Sequence, residues 1–190
     1  MTGLITAVYF LISVLFSIII FLLWARIGMY YYHVSSLNPV SKTIHTLTNP
    51  LTIPFSFLFR SRASARRIDL PALTALIVVE FIKFIVFSLL LLHTVMPFLL
   101  LLLYVVTDLI VEPLNFLFYA ILIRVVMSWV NPGWNHPLAY VLASLTDPVL
   151  RIGRRYVPII AGLDFSPLVV MLVLKLIIIF IAASLPIHMI

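Results

Sequence analysis

Four apolar runs dominate the chain, and polar, proline-marked segments separate them. Residues 4–24 are uncharged, which as a helix spans about 32 Å, enough to cross a hydrocarbon core of about 30 Å. The run lacks the basic leader and small-residue cleavage site of a signal peptide and is expected to be a retained span. The runs at 71–95 and 165–185 are also of spanning length, although Glu80, Lys83 and Lys175 lie inside them. The run at 97–130 would reach about 51 Å as a helix, too long for one straight crossing. It reads as one span with an extension kinked at Glu112-Pro113, or as two short spans.

The segments between the runs have a helical period of their own. Leu138, Val141, Leu142 and Leu145 follow i, i+3, i+4, i+7, and Val40, Thr43, Ile44 and Leu47 occupy matching places. Pro39 and Pro137 suit the first turn of such a helix. A short one-sided helix of this kind is expected to lie in the membrane interface. Asn49-Pro50 and Asp147-Pro148 then read as an N-cap followed by the first residue of a new helix. In the second of these helices Val149, Ile152 and Tyr156 share a face, with Arg151, Arg154 and Arg155 turned to water or headgroups and an end by Pro158. Ser166 and Pro167 read as the N-cap and first residue of the last span, and Asp164 as a capping or turn residue before it.

The two polar segments are copies. Arg26, Met29, Pro39, Leu47, Thr48 and Pro50 recur as Arg124, Met127, Pro137, Leu145, Thr146 and Pro148, all 98 residues on. Six matches at one offset, polar ones included, are hard to reach by chance, and internal repeats set an architecture. Two tandem units are expected, 1–96 and 97–190, related in parallel about the membrane normal. The expected fold is an all-α membrane protein of four spans, at about 4–26, 71–95, 109–130 and 165–186. Residues 97–108 are a linker or an extension, and interfacial amphipathic helices lie between the two spans of each unit.

Composition agrees and charge orients the chain. Of 190 residues 64% are hydrophobic and 9% charged, against about 25% charged in soluble domains, so lipid must be the missing solvent. The absence of cysteine excludes disulfides, thiolate metal sites and cysteine nucleophiles. Of twelve Lys and Arg, six fall within 26–67, four within 124–155 and none within 84–123. Both basic windows should face the cytoplasm, which requires an even number of crossings between them. Four spans meet that requirement, with both termini outside the cytoplasm; a five-span version would put one basic loop on the wrong side. The formal charge of +6 then serves topology and contact with anionic lipid headgroups. Nucleic acid is not an expected partner, because the basic patch is short and lies in no nucleic-acid-binding fold.

Three stretches carry a family resemblance: "RVVMSWVN" (124–131), "LTDPVLRIGRRYVP" (145–158) and "GLDFSP" (162–167). They resemble the R-x-x-x-S-W, T-x-P-x-L-x-x-x-R-R-x-x-P and G-x-D-x-S-P motifs of the YggT (YlmG) family of bacterial and plastid membrane proteins, in its two-unit form. The motif positions are Arg124, Ser128, Trp129, Thr146, Asp147, Pro148, Pro158, Gly162, Asp164, Ser166 and Pro167. The first unit departs from the pattern: "GMYYYH" replaces the Ser-Trp, Ile53 and Pro54 stand at the places of Arg151 and Ile152, and the glycine before Asp69 is missing. The resemblance implies a multi-pass protein of the bacterial inner membrane supporting envelope, osmotic or ion homeostasis. It also implies membrane protein assembly, and no enzymatic chemistry.

Candidate chemistry lies in the intramembrane charges and the arginines. A charged group at a helix centre costs roughly 2.5–3.5 kcal/mol on translocon scales, so Glu80, Lys83 and Lys175 should face protein or water. Glu80 and Lys83 are one turn apart and can pair. Placing Asp69 on Asp164 sets Glu80 opposite Lys175, where the two could meet if the units are related by an axis. An interspan ion pair and an ion or proton path are both open, as is snorkelling to the interface. Arg151, Arg154 and Arg155 suit headgroups or a membrane protein partner, including a second copy of the chain. His33, His45, His93, His136 and His188 stand at no metal-ligand spacing, so no metal, haem or other cofactor is expected. Ser166 has no base partner and reads as a cap, not a nucleophile.

Overall fold

The computed structural model describes residues 2–59, 68–130, 133, 136–157, 164–183 and 185. Among them every regular element is helical: α1 (Thr2–Tyr31), α2 (Pro39–Ser56), α3 (Leu70–Leu92), α4 (Phe98–Val130), α5 (Pro137–Tyr156) and α6 (Ser166–Ala183), with a 3-10 turn at Phe57–Phe59 after α2. Helices α1, α3, α4 and α6 are long and apolar enough to cross a membrane. Large apolar side chains such as Phe10, Leu11, Phe98, Leu99, Leu172 and Phe180 stand exposed on their outer faces, as lipid in place of water requires.

The long run at 97–130 is one continuous helix of 33 residues that passes through Pro113. Residues 98–108 are thus an extension of the span, and the two-short-span alternative is not formed. Helices α3 and α4 make an antiparallel hairpin whose turn is tightly bonded. The Ser88 hydroxyl donates to the Thr94 carbonyl at 2.6 Å and accepts from the Met96 amide at 2.8 Å. His93 closes α3 in the left-handed region, at φ 55°, a frequent conformation for a helix-ending residue.

Four apolar clusters make the interior. One joins α1 to α3 through Ile20, Leu23, Ala75 and Leu76, and another joins α4, α5 and α6 through Ile121, Leu150, Val170 and Leu174. Two more cross between the halves: Phe84 of α3 packs with Tyr104 and Val105 of α4, and Ala25 and Met29 of α1 pack with Phe116, Val141 and Leu145. Helix α4 touches α1, α3 and α6, whereas α6 touches neither α1 nor α3.

Helices α2 and α5 lie beside the spanning helices. Asn38 caps α2 by accepting from the Val40 amide at 2.9 Å, and donates its own amide to the Pro137 carbonyl at 3.0 Å. The starts of the two helices are tied together there. Neither helix restarts at its internal proline. Pro50 and Pro54 lie within α2, and Pro148 lies within α5, so Asn49 and Asp147 are not N-caps. Proline at these places leaves the Thr46, Pro50 and Ser144 carbonyls without their i+4 donors. The oxygens expected to start a new helix are instead spent on arginines, as described below. Helix α5 ends at Tyr156, just before Pro158, which lies outside the described residues.

The matched apolar faces of the two segments are treated differently. In α5, Val141, Leu142 and Leu145 are buried; in α2, Leu47 is 56% exposed, while Ser41, Thr48 and Thr52 are buried. A cause lies in α1. A Cβ on Gly28 would stand 2.7 Å from Leu145 Cδ2, so the glycine supplies the seat for that leucine. The position of α4 equivalent to Gly28 is Val126, and α4 makes no contact with α2, so Leu47 has no such seat. A second close approach joins α5 to the start of α6, where a Cβ on Gly153 would collide with Val170 Cγ2 and sit 3.5 Å from the Ser166 carbonyl. Gly153→Ala should therefore destabilise by about 1–3 kcal/mol, as overpacking does. Gly28→Ala should cost less, because the end of Leu145 can rotate away. Thermal unfolding of both variants in detergent measures the order.

Candidate functional site: a buried charge cluster and two arginine clamps

Glu80 and Lys83 lie on the face of α3 that meets α4, and α4 brings two more acids to them. The Lys83 ammonium donates to Asp108 Oδ2 and stands 3.6 Å from Glu80 Oε2. It also lies 5.0 Å from the centre of the Phe84 ring. Glu80 and Asp108 are fully buried and Lys83 is nearly so. Glu112, one turn beyond Asp108, is half-buried and acts electrostatically on both Glu80 and Lys83. Two carboxyl groups thus lie at one ammonium, with a third one turn further along α4.

The pairing of Glu80 with Lys83 follows from their spacing along one helix. Asp108, the closer partner, looks in the sequence only like an interruption of an apolar run. Hairpin geometry carries the missing signal: Lys83 and Asp108 lie almost equally far from the turn, and antiparallel helices place such residues level. Lys175 does not join the cluster. It is exposed on α6 with its ammonium 5.5 Å from the Phe118 ring centre, a cation–π contact. Its expected meeting with Glu80 is not formed, because α4 stands beside both α3 and α6 while those two do not touch.

Arg26 and Arg124 form clamps at equivalent places in α1 and α4. Arg26 donates to Thr48 Oγ1 at 3.0 Å, to Asn49 Oδ1 at 2.9 Å and to Asp69 Oδ2 at 2.8 Å. One guanidinium, with its fork of donors, so ties together α1, α2 and the start of α3, which Asp69 caps through the Ala72 amide at 3.1 Å. Arg124 donates to Thr146 Oγ1 at 2.7 Å and to Asp147 Oδ1 at 2.6 Å. Both threonines donate in turn to carbonyls four residues back, Ile44 and Leu142, at 2.7 Å. The acid has moved between the two clamps. In the first half position 49 is neutral and the charge comes from Asp69; in the second Asp147 supplies it. Asp164 is thereby free to pair with Arg154, at 2.9 Å.

Asp164 also sets the start of α6. Its Oδ1 accepts from the Ser166 amide at 2.9 Å and the Ser166 hydroxyl at 2.5 Å. Ser166 is therefore a donor to the turn and not the capping acceptor, and Pro167 falls in the first turn of α6. Burial pushes the Asp164 carboxyl up, but the Ser166 hydroxyl and amide and the Arg154 guanidinium outweigh it and hold the group below its ordinary value.

Of the three basic residues near the end of α5, Arg154 is engaged by Asp164. Arg151 and Arg155 stand exposed and, with Pro148 and Ile152, line an open notch of about 350 Å³. Arg151 Nε reaches only the Asp147 carbonyl, at 3.4 Å. Tyr140, Ile152 and Tyr156 on α5 and Trp129 at the end of α4 are also well exposed, and Ser128 is exposed beside Trp129. Aromatic groups of this kind suit a membrane–water boundary. Gly162 of the last motif lies outside the described residues.

Four apolar helices whose charges, Lys175 apart, lie in a buried cluster and two arginine clamps define an all-α membrane protein. The chain belongs to the CCB3/YggT family, whose model matches twice, over residues 5–91 and 96–185. It is similar to the protein YggT of Escherichia coli (strain K12), 33% identical over 169 residues that cover 88% of this chain and 85% of that one. A protein of Pseudomonas aeruginosa is 31% identical over 181 residues, 93% of this chain and 89% of its own. The Ycf19 protein of Guillardia theta is 38% identical over 56 residues, 29% of this chain and 62% of its own. No solved structure matches the chain.

Arg26 and Asp69 are both largely buried, with side chains 11% and 8% exposed, whereas Arg124 and Asp147 are 29% and 40% exposed. Arg26→Ala should cost about 3–5 kcal/mol, because it leaves a buried carboxylate unpaired. Arg124→Ala should cost nearer 1 kcal/mol, as more exposed pairs do. Unfolding of the two variants in the same detergent gives the comparison. The Arg154–Asp164 contact should depend on acid. Because the folded carboxyl lies below its unfolded value of about 3.9, its contribution is complete above that pH and lost as the pH falls through the folded value. The stability difference between the native chain and Asp164→Asn should therefore shrink on acidification below about pH 4.

Proposed function

We propose that this chain is a non-enzymatic protein of the bacterial inner membrane that supports envelope, osmotic or ion homeostasis by assembling membrane proteins. The observation that carries the reading is the exposed cationic and aromatic border of α5 and α4: Arg151, Arg155, Tyr140, Tyr156 and Trp129. Such a border suits anionic headgroups together with a membrane protein partner or a second copy of the chain, and has no feature of a nucleic-acid surface. In this reading α2 and α5 lie at the cytoplasmic interface as the middle segments of two tandem parallel units. The double match to the family model and the recurring Arg-Thr clamps support that arrangement.

A second reading, a small ion channel or transporter, draws on the buried group of Glu80, Lys83 and Asp108, since intramembrane charges often line ion paths. Lys175, exposed on the far helix, has no part in it. One set of cells separates the two. In a strain lacking the chain, Arg151→Glu/Arg155→Glu should reach the membrane at the native level yet fail to restore growth after osmotic shock. The native chain in proteoliposomes should pass no K⁺, Na⁺ or H⁺. Full restoration by the arginine variant would overturn the assembly reading, and flux abolished by Glu80→Gln would establish the transport one.

A further inference from the structure

The charge cluster between α3 and α4 does not balance. Lys83 offers one positive charge, and Asp108 takes it through Oδ2. Glu80 is wholly enclosed, with neither carboxyl oxygen receiving a hydrogen bond, and Asp108 Oδ1 is likewise buried and without a partner. Both carboxyls lie against the same ammonium, Asp108 Oδ2 in direct contact with it and Glu80 Oε2 at 3.6 Å. Two ionised carboxylates crowded about one ammonium would set like charge against like charge where both are buried from solvent. Single carboxyl protons shared between paired acids are the usual resolution of that geometry.

We propose that Glu80 and Asp108 hold one proton between them, carried on Glu80 and donated to Asp108 Oδ1. A single proton satisfies two of the three orphaned oxygens, since one Glu80 oxygen becomes a donor to Asp108 Oδ1 and Asp108 remains the ionised partner of Lys83. The groups that face the site are few. On α3 there is Lys83, and on α4 Asp108, Glu112 and Tyr104, the last packed against Phe84. From α1 Tyr9 approaches Lys83. Lys42 of α2 and Arg151 and Arg155 of α5 are exposed, Asp147 and Arg154 of α5 are held by Arg124 and Asp164, and Lys175 of α6 is turned to Phe118. A divalent metal does not suit the site, as no group of acids and histidines among the described residues could hold one. The site therefore takes a proton.

Infrared spectroscopy of the full chain in lipid nanodiscs tests this directly. At neutral pH the native protein should show the carbonyl stretch of a protonated carboxylic acid, shifting on exchange into deuterated water. Glu80→Gln, which mimics the protonated group in shape and charge, should abolish the band, and Glu112→Gln should leave it. Absence of the band in the native protein at neutral pH would overturn the proposal, pointing to ionised carboxylates with a monovalent cation between them. A band that survives Glu80→Gln but disappears in Glu112→Gln would overturn it too, by assigning the proton to the more accessible acid. The native spectrum decides the first point even if a variant fails to fold.

Discussion

The contact between Lys83 and Asp108 is the one that holds the two halves of this protein in register. In lipid the apolar surfaces of helices gain little by leaving the hydrocarbon for one another, so packing and polar contacts must choose between possible pairings. Here the ammonium of α3 meets the acid level with it on α4. Parting the two helices would strand Lys83 and Asp108 in the apolar interior, where a lone charge is expensive. The aromatic packing of Phe84 on Tyr104 and the bonded turn at Ser88 fall into place around that pair. The first and second halves then meet through α4, and α6 is left on the far side.

The arginine clamps do a related task where the spanning helices meet α2 and α5. Each guanidinium reaches a threonine hydroxyl and a neighbouring side-chain oxygen, and the helix carrying them runs on through a proline that might have ended it. In the first half a third bond to Asp69 draws in the start of α3 and buries the pair. In the second half the acid sits beside the threonine, which leaves Asp164 to meet Arg154 near the surface. The same scheme thus yields a rigid, buried knot in one half and a more open one in the other. Exposed Arg151 and Arg155 belong to the open half.

Much of this was legible in the residues. The lengths of the apolar runs predict four spans, the prolines at 39 and 137 predict two helix starts, and the offset between Arg26 and Arg124 marks equivalent places. The motifs around Trp129, Arg154 and Asp164 carry the family. The errors have a common origin: a sequence pattern does not say which acceptor a side chain will choose. Asp147 before Pro148 looks like a helix start, but an arginine fork one helix away is a stronger partner than a backbone amide. Lys175 aligns with Glu80 on paper, yet the helices that carry them never touch.

What the sequence determined by itself was the solvent, the number of helices long and apolar enough to cross a membrane and the identity of the charged residues, because those follow from composition and helix rise alone. Tertiary structure decided the pairings. It set Asp108 against Lys83, seated Leu145 on Gly28 while leaving Leu47 exposed, and enclosed Glu80 with no donor. Each of these depends on which helix faces which and at what height, and a local pattern of residues carries no such information about its distant neighbours.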